Sequence, residues 1–147
     1  MDRCTGSALE SYLAEYGWAY HAYAEQQWKT GFHGEACHFP LLILLSDTWL
    51  SFHVDPFLQL PIDWESWPEI ALFLLELNSR HPMLKVGVSQ HGHIELSMDI
   101  LNRGMDYENF CLALSLLGFY ADLIYDEILS HLDQIGFRYS ESLQLLT

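Results

Sequence analysis

Hydrophobic positions along the chain change period several times, and each change predicts an element. Leu9, Tyr12, Leu13 and Tyr16 recur at helical spacing behind Ser7-Ala8-Leu9-Glu10. That tetrad is a capping box with Ser7 as the cap, and Gly17 is placed to end the helix in the left-handed conformation. Trp18 to Trp28 is dense in aromatics, sustains no helical stripe and predicts a strand. Gly31 and Gly34 mark a turn. Phe39 to Leu45 is nearly all apolar, as expected of a strand buried on both faces, and Trp49 to Val54 alternates after the turn signal Ser46-Asp47-Thr48. Pairing Leu45 with Leu50, Ile43 with Phe52 and Leu41 with Val54 places three apolar pairs on one face. A slip of one residue would set Ile43 against Ser51 or His53.

Pro56 and Pro61 then interrupt the sheet pattern. A second helix is predicted behind Ser66-Trp67-Pro68-Glu69, with Ile70, Phe73, Leu74 and Leu77 as its buried stripe and Asn78 and Pro82 ending it. Next comes a hairpin whose inward residues, Leu84, Val86, Val88, Ile94, Leu96, Met98 and Ile100, are all even-numbered. Only a loop with an odd number of residues keeps that parity. A three-residue loop, Gln90-His91-Gly92, sets Val88 against Ile94, Val86 against Leu96 and Leu84 against Met98. It also places Gly92 at the left-handed position of a turn with a bulge.

The last helix starts at an Asp106 cap, carries Phe110, Leu114, Leu117, Ala121, Ile124, Ile128 and Leu132 on one side, and closes at Gly136. A second stripe, Leu112, Leu116, Phe119 and Leu123, lies on another side. A helix resting only on its own sheet has no need of two stripes, so the second is a candidate dimer interface. The order is α-β-β-β-α-β-β-α, an α+β class with an antiparallel sheet, read as a single domain over residues 1–147 with its core at about 7–136.

That order resembles the type III secretion chaperone-like superfamily. The runs Glu76-Leu77-Asn78, Leu84-Lys85-Val86-Gly87-Val88 and Gln90-His91-Gly92-His93-Ile94-Glu95-Leu96, followed by the long helix from Asp106, are similar to its YbjN-like branch. The likeness in residues is confined to roughly 70–130, and the tryptophan-rich stretches Trp18–Trp28 and Trp64–Trp67 match no motif of that branch. The resemblance implies a small, acidic, dimeric protein that binds another protein or regulates it, without catalytic residues.

Charge narrows the partners. Against 6 Lys and Arg the chain has 20 Asp and Glu, a net charge of −14. This argues against a nucleic acid or an anionic membrane surface as partner. Start and composition read as a cytoplasmic protein: Met1 to Ser7 has no signal-like apolar stretch, no apolar run reaches the ~18 residues of a membrane helix, and Cys4, Cys37 and Cys111 form no close pair.

Reactive groups are few. His33, Cys37, His38 and His53 are the nearest approach to a metal set, and His91-Gly92-His93 looks like a chelating pair. The first group spans a turn and the second decorates a loop tip, so no metal or other cofactor is expected. Asp63 with Glu65, and Asp122 with Asp126 and Glu127, have the bland reading of helix capping and a solvated helix face. Nucleophile elbows, phosphate loops and dinucleotide fingerprints are absent. Expected instead is a non-enzymatic protein-binding module, a homodimer that holds a partner segment. Its anchors would be Phe57, Trp64 and Trp67, set among prolines and carboxylates. The alternative is a small-ligand sensor with an aromatic-lined pocket. A third reading, a metal-dependent hydrolase, would use His33, His38 and His53.

Overall fold

In a computed structural model the described residues are 2–59, 67–90 and 92–135. They form α1 (Gly6–Tyr16), β1 (His21–Ala24), β2 (Gln27–His33), β3 (His38–Leu45), β4 (Trp49–Leu58), α2 (Trp67–Arg80), β5 (Leu84–Val88), β6 (Ile94–Leu101) and α3 (Tyr107–Gln134). The class is α+β, and the order is α-β-β-β-β-α-β-β-α, with one strand more than the sequence pattern predicted. Six strands make one antiparallel sheet in the order β1-β2-β3-β4-β6-β5. The crossover from β4 through α2 leaves room for β6 between β4 and β5.

The extra strand comes from Trp18–Trp28, which is not one strand. The chain reverses at Gln26, whose φ is +58°, so that β1 folds back on β2. All four residues of β1 are exposed, which is why no alternation betrayed it.

Register across the sheet follows the inward residues. Trp28, Ile43, Phe52, Met98 and Leu84 form one continuous row over five strands, and all five are buried. The neighbouring row, Lys29, Leu42, His53, Ser97 and Lys85, lies on the other face. Helices cover only the first face. Phe110 on α3 meets Phe52, and Tyr125 meets Phe39 and Phe57, with ring centroids 5.8–6.2 Å apart. Tyr12 on α1 packs on Phe110 at 5.5 Å, and the Trp28 indole N–H donates to Glu10 at 2.9 Å. The expectation that Phe39 to Leu45 is buried on both faces is therefore corrected. Phe39, Leu41, Ile43 and Leu45 are buried, while Leu42 and Leu44 are half-buried on an open face and Pro40 is exposed.

Several local expectations hold. Leu45 pairs with Leu50 and Ile43 with Phe52. Val88 pairs with Ile94, Val86 with Leu96 and Leu84 with Met98. Gly92 has φ +79°, with its N–H donated to Ser89 O at 2.9 Å. A Cβ there would meet nothing within 4 Å, so the conformation alone demands glycine. Gly92→Val is expected to cost about 1–2 kcal/mol, read as a lower urea midpoint with an unchanged slope. A midpoint equal to wild type would show that the loop relaxes out of this turn.

Other expectations are corrected. The cap of α1 is Thr5, whose Oγ1 accepts from Ala8 N at 3.1 Å, and Ser7 lies inside the helix. Glu10 does not reach back to a cap, because it accepts from Trp28. Pro56 does not end β4. The strand tolerates the missing N–H by shifting register between Val54 and Leu58, where Leu58 pairs again with Ile94, and the Asp55–Pro56 bond is cis. Asn78 does not end α2, which runs on to Arg80. Its amide clamps the outer edge of β5 instead, donating to Val86 O at 3.0 Å and accepting from Val86 N at 2.6 Å. That removes unpaired groups from an edge strand. The expected ends at Ser66, Pro61 and Gly136 lie outside the described residues.

Candidate functional site

Helix α3 is 28 residues long and carries the longest exposed apolar stripe. Asp106 caps it, accepting from Asn109 N at 2.8 Å. Its sheet-facing stripe is buried as expected from Phe110 to Leu132. Its second stripe is on the surface: Leu112 is 56 %, Phe119 63 % and Leu123 37 % exposed, and Leu116 is half-buried. At ~100° per residue these four fall on the outward flank that turns toward α2. Beside them Phe119 meets Tyr120 edge-on at 5.3 Å, and Tyr120 meets His81 at 5.6 Å.

Carboxylates border this stripe. Glu108, Asp122, Asp126, Glu127 and Asp133 lie on α3, which has no Lys or Arg. Glu127 is taken up by α2, with His81 Nε2 at 2.9 Å and Arg80 at 3.5 Å. Asp122 accepts the Glu35 N–H at 2.8 Å and so pins the β2–β3 turn to α3. A Cβ on Gly34 would come within 2.5 Å of Asp122 Oδ1 and of the Phe39 ring, so glycine is required for this approach. Neither Glu108 nor Asp126, both exposed, takes part in an ion pair among the described residues.

Of the expected partner anchors, Phe57 is corrected. It is 2 % exposed, stacks on Phe39 at 5.2 Å and offers no surface to a partner, because β4 continues through Pro56 and carries it under α3. Trp67 is half-buried at the start of α2, against the core. Trp64 lies outside the described residues, as do Asp63, Glu65 and His91.

The histidines are dispersed. His33 and His38 are cross-strand partners with rings 4.6 Å apart, both exposed. His53 faces Leu42, four residues along β3 and so roughly 13 Å from His38. Its own neighbour is Glu95, 3.6 Å away, and His93 lies 3.8 Å from Asp55. Among the described residues no three His, Cys, Asp or Glu side chains converge as metal ligands would. Burial, then the nearby Asp122 charge, pushes the Cys37 thiol up against a weaker lowering by Tyr125. Burial likewise raises Cys4. Both are therefore held as thiols at neutral pH.

An aromatic cleft of about 680 Å³ opens beside the half of β2 that runs beyond its pairing with β1, lined by Tyr16, Trp18, Phe32, His33, His38 and Leu114 among others. Trp18 stacks on Phe32 with centroids 5.9 Å apart and nearly parallel rings. The cleft is broad and open to solvent.

The open face of the sheet is a surface that pattern reading missed. Leu42, Leu44 and Pro40 border a second depression with Lys29, His53, Asp55 and Glu95. Farther along, Trp49 and Leu101 pair across β4 and β6, 46 % and 59 % exposed. Burial pushes the Asp99 carboxyl up, but hydrogen bonds from Lys85 and Ser51 and the Lys85 charge outweigh it and hold the group below its usual range. The signal for this face was present in the one-sided partners of Leu42 and Leu44, namely His53 and Ser51.

Among the described residues no helix is long and apolar enough to cross a membrane. No protein-family model matches the chain, and no curated protein matches it. The fold and its surfaces therefore define the class: a two-layer α+β domain with helices on one face and an exposed apolar stripe along its longest helix.

Proposed function

We propose that the chain is a non-enzymatic protein-binding module that holds a segment of another protein. The observation that carries this reading is the stripe Leu112, Leu116, Phe119 and Leu123, which stays at the surface although the same helix buries a full second stripe in the core. Leu112 and Phe119, seven residues apart on one helix, keep 56 % and 63 % of their surface in solvent and with Leu116 and Leu123 make a contiguous apolar patch. The resemblance to secretion chaperone-like proteins supports the same reading.

The test compares affinity capture from the native host by the wild-type chain and by Leu112→Ser/Phe119→Ser. The variant is expected to lose a bound protein that the wild type retains, with a melting temperature within about 2 °C, since exposed substitutions cost little. Equal capture by both chains would remove the stripe from the function.

The small-ligand sensor reading rests on the Trp18–Phe32 cleft. Its breadth and its opening to solvent favour it less, because small-molecule sites bury most of their ligand.

A further inference from the structure

The binding reading leaves open what covers the α3 stripe, and a second copy of this chain is the occupant expected from the sequence. Charge decides between that and a different chain. Glu108 and Asp126 are 18 residues apart, five turns at ~3.6 residues per turn, so they stand on one line along the helix about 27 Å apart. Between them, slightly to the side, run Leu112, Leu116, Phe119 and Leu123. The apolar stripe is thus closed at each end by an exposed carboxylate.

A closed homodimer must match this surface with itself. An antiparallel pairing that sets Leu112 against Leu123 and Leu116 against Phe119 also sets Glu108 against Glu127 and Asn109 against Asp126. A parallel pairing sets Glu108 against Glu108 and Asp126 against Asp126. The parallel match sets like charges together at both ends and the antiparallel one sets Glu108 against Glu127, on chains of net charge −14 each. Among the described residues Arg80, at the end of the neighbouring α2, is already held by Glu127 at 3.5 Å. Like-charge juxtaposition of this kind is how wrong partners are rejected.

We infer that the α3 stripe docks an amphipathic helix of a different protein, with apolar residues at i, i+4, i+7 and i+11 and Lys or Arg flanking them at each end. This inference rests on the binding reading above. Spacing 112, 116, 119, 123 is that of a helix-on-helix seam, and the mate's apolar residues repeat it. Its basic residues complement Glu108 and Asp126, add specificity and steer association.

The experiment uses the full chain and two synthetic helical peptides of about 22 residues, labelled for fluorescence anisotropy. Both carry Leu at i, i+4, i+7 and i+11. One is flanked by Lys, the other by Glu. The Lys peptide is expected to bind at least 10-fold more tightly than the Glu peptide, with the gap closing in high salt. Glu108→Lys/Asp126→Lys is expected to reverse the preference, and Leu112→Ser/Phe119→Ser to abolish binding of both. Equal affinity for the two peptides, or no reversal in the charge-swapped variant, overturns the basic partner while leaving a docking stripe in place. Absence of binding by either peptide, or binding that ignores Leu112→Ser/Phe119→Ser, overturns the stripe as a docking site altogether. Sedimentation at about 10 μM is expected to give a monomer. A dimer dissolved by Leu112→Ser/Phe119→Ser would assign the stripe to a second copy and overturn the inference.

Discussion

Phe39→Ala is expected to lower the unfolding free energy by about 3–5 kcal/mol, the range for deleting a buried phenyl ring. Phe39 is fully buried and lies where the central strand β3 meets α3. Its ring contacts Phe32 at 5.3 Å, Phe57 at 5.2 Å and Tyr125 at 5.8 Å, and it backs the Gly34 turn that Asp122 pins to α3. The cavity would therefore open between layers, with little freedom for neighbouring rings to collapse into it. Against a total of roughly 5–15 kcal/mol for a domain, that loss is a large fraction. Urea unfolding of Phe39→Ala beside Phe119→Ala separates core from surface, since Phe119 is 63 % exposed and its truncation should stay within about 0.5 kcal/mol. Phe57→Ala belongs with Phe39→Ala. A silent Phe57→Ala would return that residue to the surface role its neighbouring prolines suggested. A Phe39→Ala loss under about 1 kcal/mol would mean that this aromatic cluster does not join the layers.

What could be read from the chain follows from how local the cause is. The registers of both hairpins and the cap, core stripe and surface stripe of α3 rest on periods of 2 and 3.6, so counting residues recovers them. Gly92 was legible because parity demanded an odd loop. The misses share a different physics. β1 is exposed at every position and turns at Gln26, a residue that rarely takes positive φ, so neither period nor turn chemistry marked it. Leu42 and Leu44 made β3 look buried on both faces, whereas no helix covers their side. Pro56 signalled a break that a register shift absorbs, and with it went the identity of Phe57 as core. Asn78 and Asn102 look like loop residues in sequence, and their work as clamps depends on partners 8 to 98 residues away. The α3 stripe could be found because it lies on one helix. Its charged closure at Glu108 and Asp126 becomes informative only once Glu127 and Asp122 are seen to be engaged elsewhere.

Asn102→Ala is expected to cost about 2–4 kcal/mol, although the residue is polar and stands outside every helix and strand. It is 2 % exposed, just beyond the end of β6. Its Oδ1 accepts the Cys4 N–H at 2.6 Å and its Nδ2 donates to Ser46 O at 2.7 Å, while its backbone N–H donates to Thr48 O at 2.9 Å. One amide thus ties the segment leading into α1, the β3–β4 turn and the exit of β6. Truncation leaves the buried Cys4 N–H without its acceptor and Ser46 O without its donor, and each such group costs about 1–3 kcal/mol. Water can reach the Ser46 side, where the residue is exposed, and that keeps the expected sum below the upper limit. Asn102→Asp separates the two bonds: the carboxylate still accepts from Cys4 but turns an oxygen toward Ser46 O, so it should be destabilised too, and more at neutral pH than in acid. Hydrogen exchange gives the local reading, with protection lost at Cys4 in Asn102→Ala and retained in Asn102→Asp. If Asn102→Ala unfolds within about 0.5 kcal/mol of wild type and Cys4 remains protected, the amide is not the joint between these three segments.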